Sequence, residues 1–145
     1  MQNNFQSLSY FIPEITIVIT LLLAIVSDLF NDLKKYTYYL ILFGLCLTGV
    51  LLFLDNSTSV PRLLFNDMLI FDSVSYYFKC IILFSTFSII LVSRYSKELD
   101  DEYRLEFNVL LLVVLLGMFL MTNSINLIMI YLALELVSIP SYVLA

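Results

Sequence analysis

From Tyr36 to Leu54 the chain runs for about 19 residues without a charged side chain, and this length limits what such a sequence folds into. At ~1.5 Å per residue, a helix of this length roughly matches the ~30 Å hydrocarbon core of a bilayer. Lipid offers the backbone no hydrogen bonds, so a spanning segment of this kind is expected to be an α-helix. Comparable apolar runs occupy approximately 11-29, 74-93, 107-122 and 127-145. The expected fold class is therefore all-α integral membrane, a single membrane domain over 1-145 with about five transmembrane helices. Composition agrees: 61% of the residues are hydrophobic and 13% charged, more apolar surface than a soluble core of this size hides.

Polar residues punctuate the runs. Pro13 and Glu14 open the first, where a helix tolerates proline and its dipole favours an acid, and Asp28, Asn31 and Asp32 close it. Asp55 to Asn66, with Asn56, Ser57, Thr58, Ser59 and Pro61, reads as an exposed loop. Arg94 to Glu106 mixes both charge signs and reads as a solvated connection, while Asn123 to Asn126 is a short polar break. The connections after spans one and three carry Lys34, Lys35, Arg94, Lys97 and Arg104, against Arg62 on the other side. This asymmetry predicts an N-terminus facing outward.

The net charge of -5 argues against nucleic acid as a partner, since phosphates demand a basic surface. Cys46 and Cys80 lie in apolar runs without metal-ligand spacing and are expected to be inert thiols surrounded by lipid. Gly44, Gly49 and Gly117 are isolated, so no phosphate-cradling loop is expected. Met1 to Tyr10 contains no Lys or Arg, which fits neither a secretory signal nor a transit peptide. Abundant Phe, Ile, Leu, Tyr and Asn, with no Trp or His, suits translation from an AT-rich organellar genome.

Glu135 is the residue that topology explains least, because it falls near the middle of the fifth run. A charged group at a helix centre costs roughly 2.5–3.5 kcal/mol on insertion scales, so such groups usually face protein or water. At 100° per residue, Tyr131, Glu135, Ser138 and Tyr142 share a stripe about 60° wide, expected to face inward with its hydroxyls bonded to the acid. Pro140 removes one backbone donor and frees a carbonyl one turn away, where water or a kink is accommodated. Desolvation raises a carboxyl's proton affinity and a nearby cation lowers it, so an intramembrane acid with a movable cation can take up and release a proton. The alternative is a permanently neutral Glu135 bonded to Ser138 or a neighbouring helix. Lys79, about a turn and a half into span three, either snorkels to the outer interface or pairs within the bundle, and snorkelling is the expected outcome; Asp72 lies about 10 Å away along the helix, too far to pair. Glu14 is read as a helix-dipole residue at the membrane surface, and Asp100, Asp101 and Glu102 as a solvated acidic loop.

Several blocks in order resemble one family. These are Pro13-Glu14, Asp28-Leu-Phe30, Phe71-Asp72 through Phe78-Lys79, Glu106-Phe107, Gly117-Met118, and Ser124-Ile-Asn126-Leu through Tyr131-Leu-Ala-Leu-Glu135-Leu-Val-Ser138 and Tyr142-Val-Leu144. The chain resembles the antiporter-like subunits of the proton-pumping NADH:quinone oxidoreductase, respiratory complex I, most closely subunit 2, called subunit N in bacteria. The resemblance implies the first five helices of a fourteen-helix antiporter-like fold containing two inverted five-helix repeats. It implies that Glu135 is the fifth-helix glutamate that pairs with a seventh-helix lysine in proton translocation. Lys79 matches a recurrent family lysine, and with Tyr131, Ser138 and Tyr142 is carried as a possible supporting residue. A chain of this length lacks the partner lysine, so the expected partners are a separate chain carrying the remaining helices of a split subunit, other membrane-arm subunits of complex I, and lipids. No cofactor is expected in this chain, and redox chemistry is expected elsewhere. The expected location is the mitochondrial inner membrane, or the plasma membrane in a bacterium, with the N-terminus toward the intermembrane space. Competing readings are a non-pumping scaffold of the same arm, a small independent transporter, or a sodium/proton antiporter subunit.

Overall fold

The computed structural model describes residues 11–29, 34–54, 62–64, 68–95 and 103–145. Five helices account for most of them: α1 (Ile12–Leu29), α2 (Lys34–Leu54), α3 (Ser73–Ser93), α4 (Arg104–Asn123) and α5 (Leu127–Leu144). Each contains a stretch long and apolar enough to cross a membrane. Two three-residue strands, β1 (Arg62–Leu64) and β2 (Leu69–Phe71), stand between α2 and α3.

Inter-helix hydrogen bonds fix the relative directions of the helices. Near one end of the bundle Thr16 pairs with Thr48 across 3.1 Å, and near the other the Thr37 hydroxyl donates to Ser27 Oγ across 2.9 Å, so α1 and α2 are antiparallel. The Ser75 hydroxyl donates to the Thr122 carbonyl at 2.8 Å, and that of Ser93 to Asn108 at 3.3 Å, so α3 and α4 are antiparallel too. α4 packs against α1, α3 and α5 and is the most central helix. Ile17, Ile41, Leu45, Ile90, Leu112 and Phe119 fill the space between the helices.

Lipid tails are as apolar as leucine, so these helices associate through close packing and polar contacts rather than through exclusion of water. Two glycines allow the close approach. A Cβ on Gly44 would lie 1.9 Å from Thr20 Cγ2, and one on Gly117 would lie 2.7 Å from Val137 Cγ2. The cores of the α1–α2 and α4–α5 pairs thus depend on a missing side chain.

Part of the stretch expected to be an exposed loop forms a strand. β1 pairs antiparallel with β2, placing Arg62 opposite Phe71 and Leu64 opposite Leu69; residues 55–61 and 65–66 of the expected loop lie outside the described residues. Leu69 bridges to Ser124, and the Met68 carbonyl accepts from Ile125 N–H at 3.1 Å. Leu69 and Phe71 are buried, with Phe11 and Met129 packed against them. β2 therefore closes the bundle end formed by the start of α1, the end of α4 and the start of α5.

Asp72 follows β2 and starts α3: its backbone is extended and its carboxylate accepts from the Ser75 N–H at 2.8 Å. That backbone bond holds the Asp72 carboxyl below the usual carboxylate range. A depressed folded pKa adds stability above the unfolded pKa and loses it as pH falls through the folded value. Asp72→Ala is thus expected to cost about 0.5–2 kcal/mol at neutral pH. The gap between variant and parent should narrow below about pH 4. Thermal unfolding in detergent at both pH values checks this, and a gap that widens on acidification contradicts it.

At the opposite end the Arg94 guanidinium lies over the ring of Tyr38, 4.7 Å from its centroid, and donates to the Tyr39 hydroxyl at 3.4 Å. The helix of the fourth run begins at Arg104, three residues before the apolar stretch, so Arg104 to Glu106 belong to a helix rather than to the expected solvated connection. Residues 96–102, with Asp100, Asp101 and Glu102, lie outside the described residues, as do the side chains of Lys34 and Lys35.

Candidate functional site: two intramembrane carboxylates

Glu135 lies in the middle of α5 as the sequence implies, but not on the inward face expected for it. Its side chain is exposed on the isolated chain, as are Tyr131 and Tyr142. The buried residues of α5 are Ala133 and Pro140, which define the face turned toward α4. The reason is steric: α4 accepts α5 through Gly117, and the backbone at Ala133 together with Val137 fills that contact. The stripe with the hydroxyls is left on the far side.

One of the three expected hydroxyl partners bonds the acid. Tyr131 O–H donates to Glu135 Oε1 from one turn earlier. Ser138 instead donates to the Leu134 carbonyl at 2.7 Å, with a longer 3.4 Å contact to the Glu135 backbone carbonyl. Serine in a helix commonly bonds the carbonyl a turn behind it, because that acceptor is always in reach. Tyr142 is 81% exposed and shares only the outward face. α5 thus presents a tyrosine, a carboxylate and a second tyrosine, flanked by Leu127, Ile128, Leu132 and Ile139, away from the other four helices.

Lys79 does not snorkel. It is 0% exposed and forms an ion pair with Glu14, itself 0% exposed. Glu14 is likewise not a surface dipole residue, though it does lie in the first turn of α1. Asn123, the last residue of α4, donates through Nδ2 to the same Glu14 Oε1 at 3.2 Å. The Lys79 ammonium also lies 4.7 Å from the Phe71 ring centroid and 5.6 Å from that of Phe119. Snorkelling fails because the polar partner is within the bundle, where a carboxylate and two ring faces meet Nζ.

The two acids therefore occupy different settings. Glu14 is enclosed by α1, α3, α4 and β2, and Glu135 faces outward from α5 with a partner on its own helix. Cys46 and Cys80 are free thiols, the first exposed and the second half-buried. No protein-family model matches the chain.

Individual relatives do. The chain is 36% identical to NADH-quinone oxidoreductase subunit N 2 of Sorangium cellulosum, with 99% of the chain and 30% of the relative aligned. It is 33% identical to NADH-quinone oxidoreductase subunit N of Ruthia magnifica, over 98% of the chain and 31% of the relative. The protein of the same name from Dehalococcoides mccartyi is 37% identical over 92% of the chain and 28% of its own length. The chain spans about 30% of the length of the curated relatives it matches. Five apolar helices of spanning length and an alignment covering nearly the whole chain agree: this is a multi-pass membrane protein belonging to the family of NADH-quinone oxidoreductase subunit N.

Proposed function

We propose that the chain is a component of the proton-translocating membrane arm of respiratory complex I, and that it contributes Glu135 to a proton path coupled to NADH:ubiquinone oxidoreduction. The observation that carries this reading is the outward position of Glu135 on α5 in a chain matching some 30% of subunit N. A carboxylate left against acyl tails at mid-helix costs roughly 2.5–3.5 kcal/mol, so this face is built to be covered by protein. The cover is the part of subunit N that lies beyond the aligned 30%, and it brings a cation to Glu135. A proton then moves onto the carboxylate when the cation withdraws and off it when the cation returns. Tyr131 orients the acid through its hydrogen bond. Ser138 and Tyr142 lie along the same helix face and act, in this reading, only through water or the covering helices.

Lys79 belongs to the Glu14 pair rather than to the Glu135 path. Other membrane-arm subunits and lipids surround the remaining faces. The membrane is an energy-coupling one, the mitochondrial inner membrane in an organelle or the plasma membrane in a bacterium. The basic side, marked by Lys34, Lys35, Arg94, Lys97 and Arg104, faces the matrix or cytoplasm, and the hairpin end faces away from it. Electrons pass elsewhere in the complex.

Glu135→Gln in the native complex tests this, because it keeps the side chain's size and removes its ability to hold a charge. The expected result is a normally assembled complex in which protons moved per NADH oxidised fall several-fold. An unchanged ratio with normal assembly would leave a scaffold role instead. Purification with an ion-exchanging assembly that oxidises no NADH would assign the chain to an antiporter.

A further inference from the structure

The Glu14–Lys79 pair is more elaborate than a structural ion pair requires. Glu14 Oε1 accepts from both Lys79 and Asn123, while Glu14 Oε2 and Asn123 Oδ1 are buried and have no hydrogen-bond partner among the described residues. Reversing the Asn123 amide does not resolve this, because it would set two oxygen acceptors against each other where Nδ2 now donates. Two buried acceptors on either side of one hydrogen bond need a donor between them. A proton on Glu14 Oε2 supplies it. The acid O–H then donates to Asn123 Oδ1 while Asn123 Nδ2 continues to donate to Oε1, closing an acid–amide ring.

Lys79 has a second place to rest its charge in that state. Ring faces of Phe71 and Phe119, both buried, already lie 4.7 and 5.6 Å from Nζ, within the range where an aromatic face attracts an ammonium. Each member of the pair thus has an alternative partner: the amide for the protonated acid, the rings for the cation. Pairs held for rigidity alone need neither.

We propose that Glu14, Asn123 and Lys79 form a second proton-holding site, separate from Glu135 and enclosed at the hairpin end of the bundle. In its ionised form the two free oxygens share the hydrogens of one water molecule. On protonation a hydronium from the hairpin side gives up a proton, its O–H bond breaks, an Oε2–H bond forms, and two neutral waters leave, the one that carried the proton and the one that bridged the two oxygens. The helices packed around Glu14 contribute Lys79 from α3 and Asn123 from α4. α2 contributes the uncharged Thr48, bonded to Thr16. Asp72, at the start of α3, is committed to capping Ser75. Phe71 connects the site to the hairpin, so movement of β2 changes both its access to water and the cation's resting place. The site does not depend on the role given to Glu135.

Infrared difference spectroscopy of the native complex in its membrane, stepped through pH without NADH, reads the site directly. The expected signal is a protonated-carboxyl carbonyl band that appears as pH falls and shifts in D2O. It should vanish in Glu14→Gln, which preserves the amide-like pairing with Asn123 and so the assembly. In Asn123→Leu the band should persist but move to the position of an acid without an amide partner. Should Glu14→Gln fail to assemble, Glu14→Asp retains the charge and must displace the band. Spectra of the Glu14 variants identical to the parent would overturn the proposal, and a band unmoved by Asn123→Leu would overturn the sharing of the proton.

Discussion

Glu14→Leu is expected to destabilise the bundle by about 3–5 kcal/mol, the usual cost of stranding one buried charge of a pair. The substitution removes the carboxylate from beside a fully enclosed ammonium, which keeps two aromatic faces among its neighbours. Cation–π contacts return roughly 0.5–2 kcal/mol, so they soften the loss and do not cancel it. The double variant Glu14→Leu/Lys79→Met should regain most of it, because apolar residues of similar volume often replace a buried ion pair at no net cost. Unfolding in detergent of the parent, both single variants and the double variant forms a complete cycle. A double variant no more stable than Glu14→Leu alone would show that Lys79 makes no energetic use of Glu14.

That result matters because the pair was the part of this protein least legible in its sequence. The spans themselves were readable from uncharged length, since lipid makes long apolar helices almost obligatory. The outward side of α5 was not. A stripe of Tyr131, Glu135, Ser138 and Tyr142 specifies a face of the helix but not the neighbour it meets, and Gly117 chose the opposite face. Periodicity gives an angle around an axis, never the identity of what lies there.

Glu14 and Lys79 are 65 positions apart, so no local spacing joins them. A signal was nevertheless present. Odd-numbered spans cross in the same direction, and each residue lies early in its span, so both reach the same end of the bundle at similar depth. An acid and a base placed at matching depths in two such spans form a pair more economically than either reaches water. The hairpin was hidden for a different reason. Strands of three residues are too short to show alternation, and β2 is recognisable as structure only through what it covers, the end of α4 and the start of α5.

The tightest backbone approach in the bundle gives the second large effect. Gly44→Ala puts a methyl carbon 1.9 Å from Thr20 Cγ2 and 2.8 Å from Thr20 Cβ. The second of these atoms cannot rotate away, so α1 and α2 must separate. Thr20 is also anchored: its hydroxyl donates to the Ile17 carbonyl at 2.8 Å and lies 3.0 Å from that of Thr16. Overpacking of this kind costs about 1–3 kcal/mol and sometimes more. The gain in helix propensity, roughly 1 kcal/mol for Gly to Ala, opposes it and is the smaller term. Separation would also stretch the 3.1 Å Thr16–Thr48 and 2.9 Å Thr37–Ser27 contacts on either side, which adds to the loss. Thr20→Ala in the same chain removes the 1.9 Å collision while leaving the Cβ contact, so it should restore part of the stability but not all. Gly44→Ala as stable as the parent would mean that α1 and α2 are not held at this spacing. Full recovery in the double variant would place the whole clash on Cγ2 and leave the Cβ contact without cost.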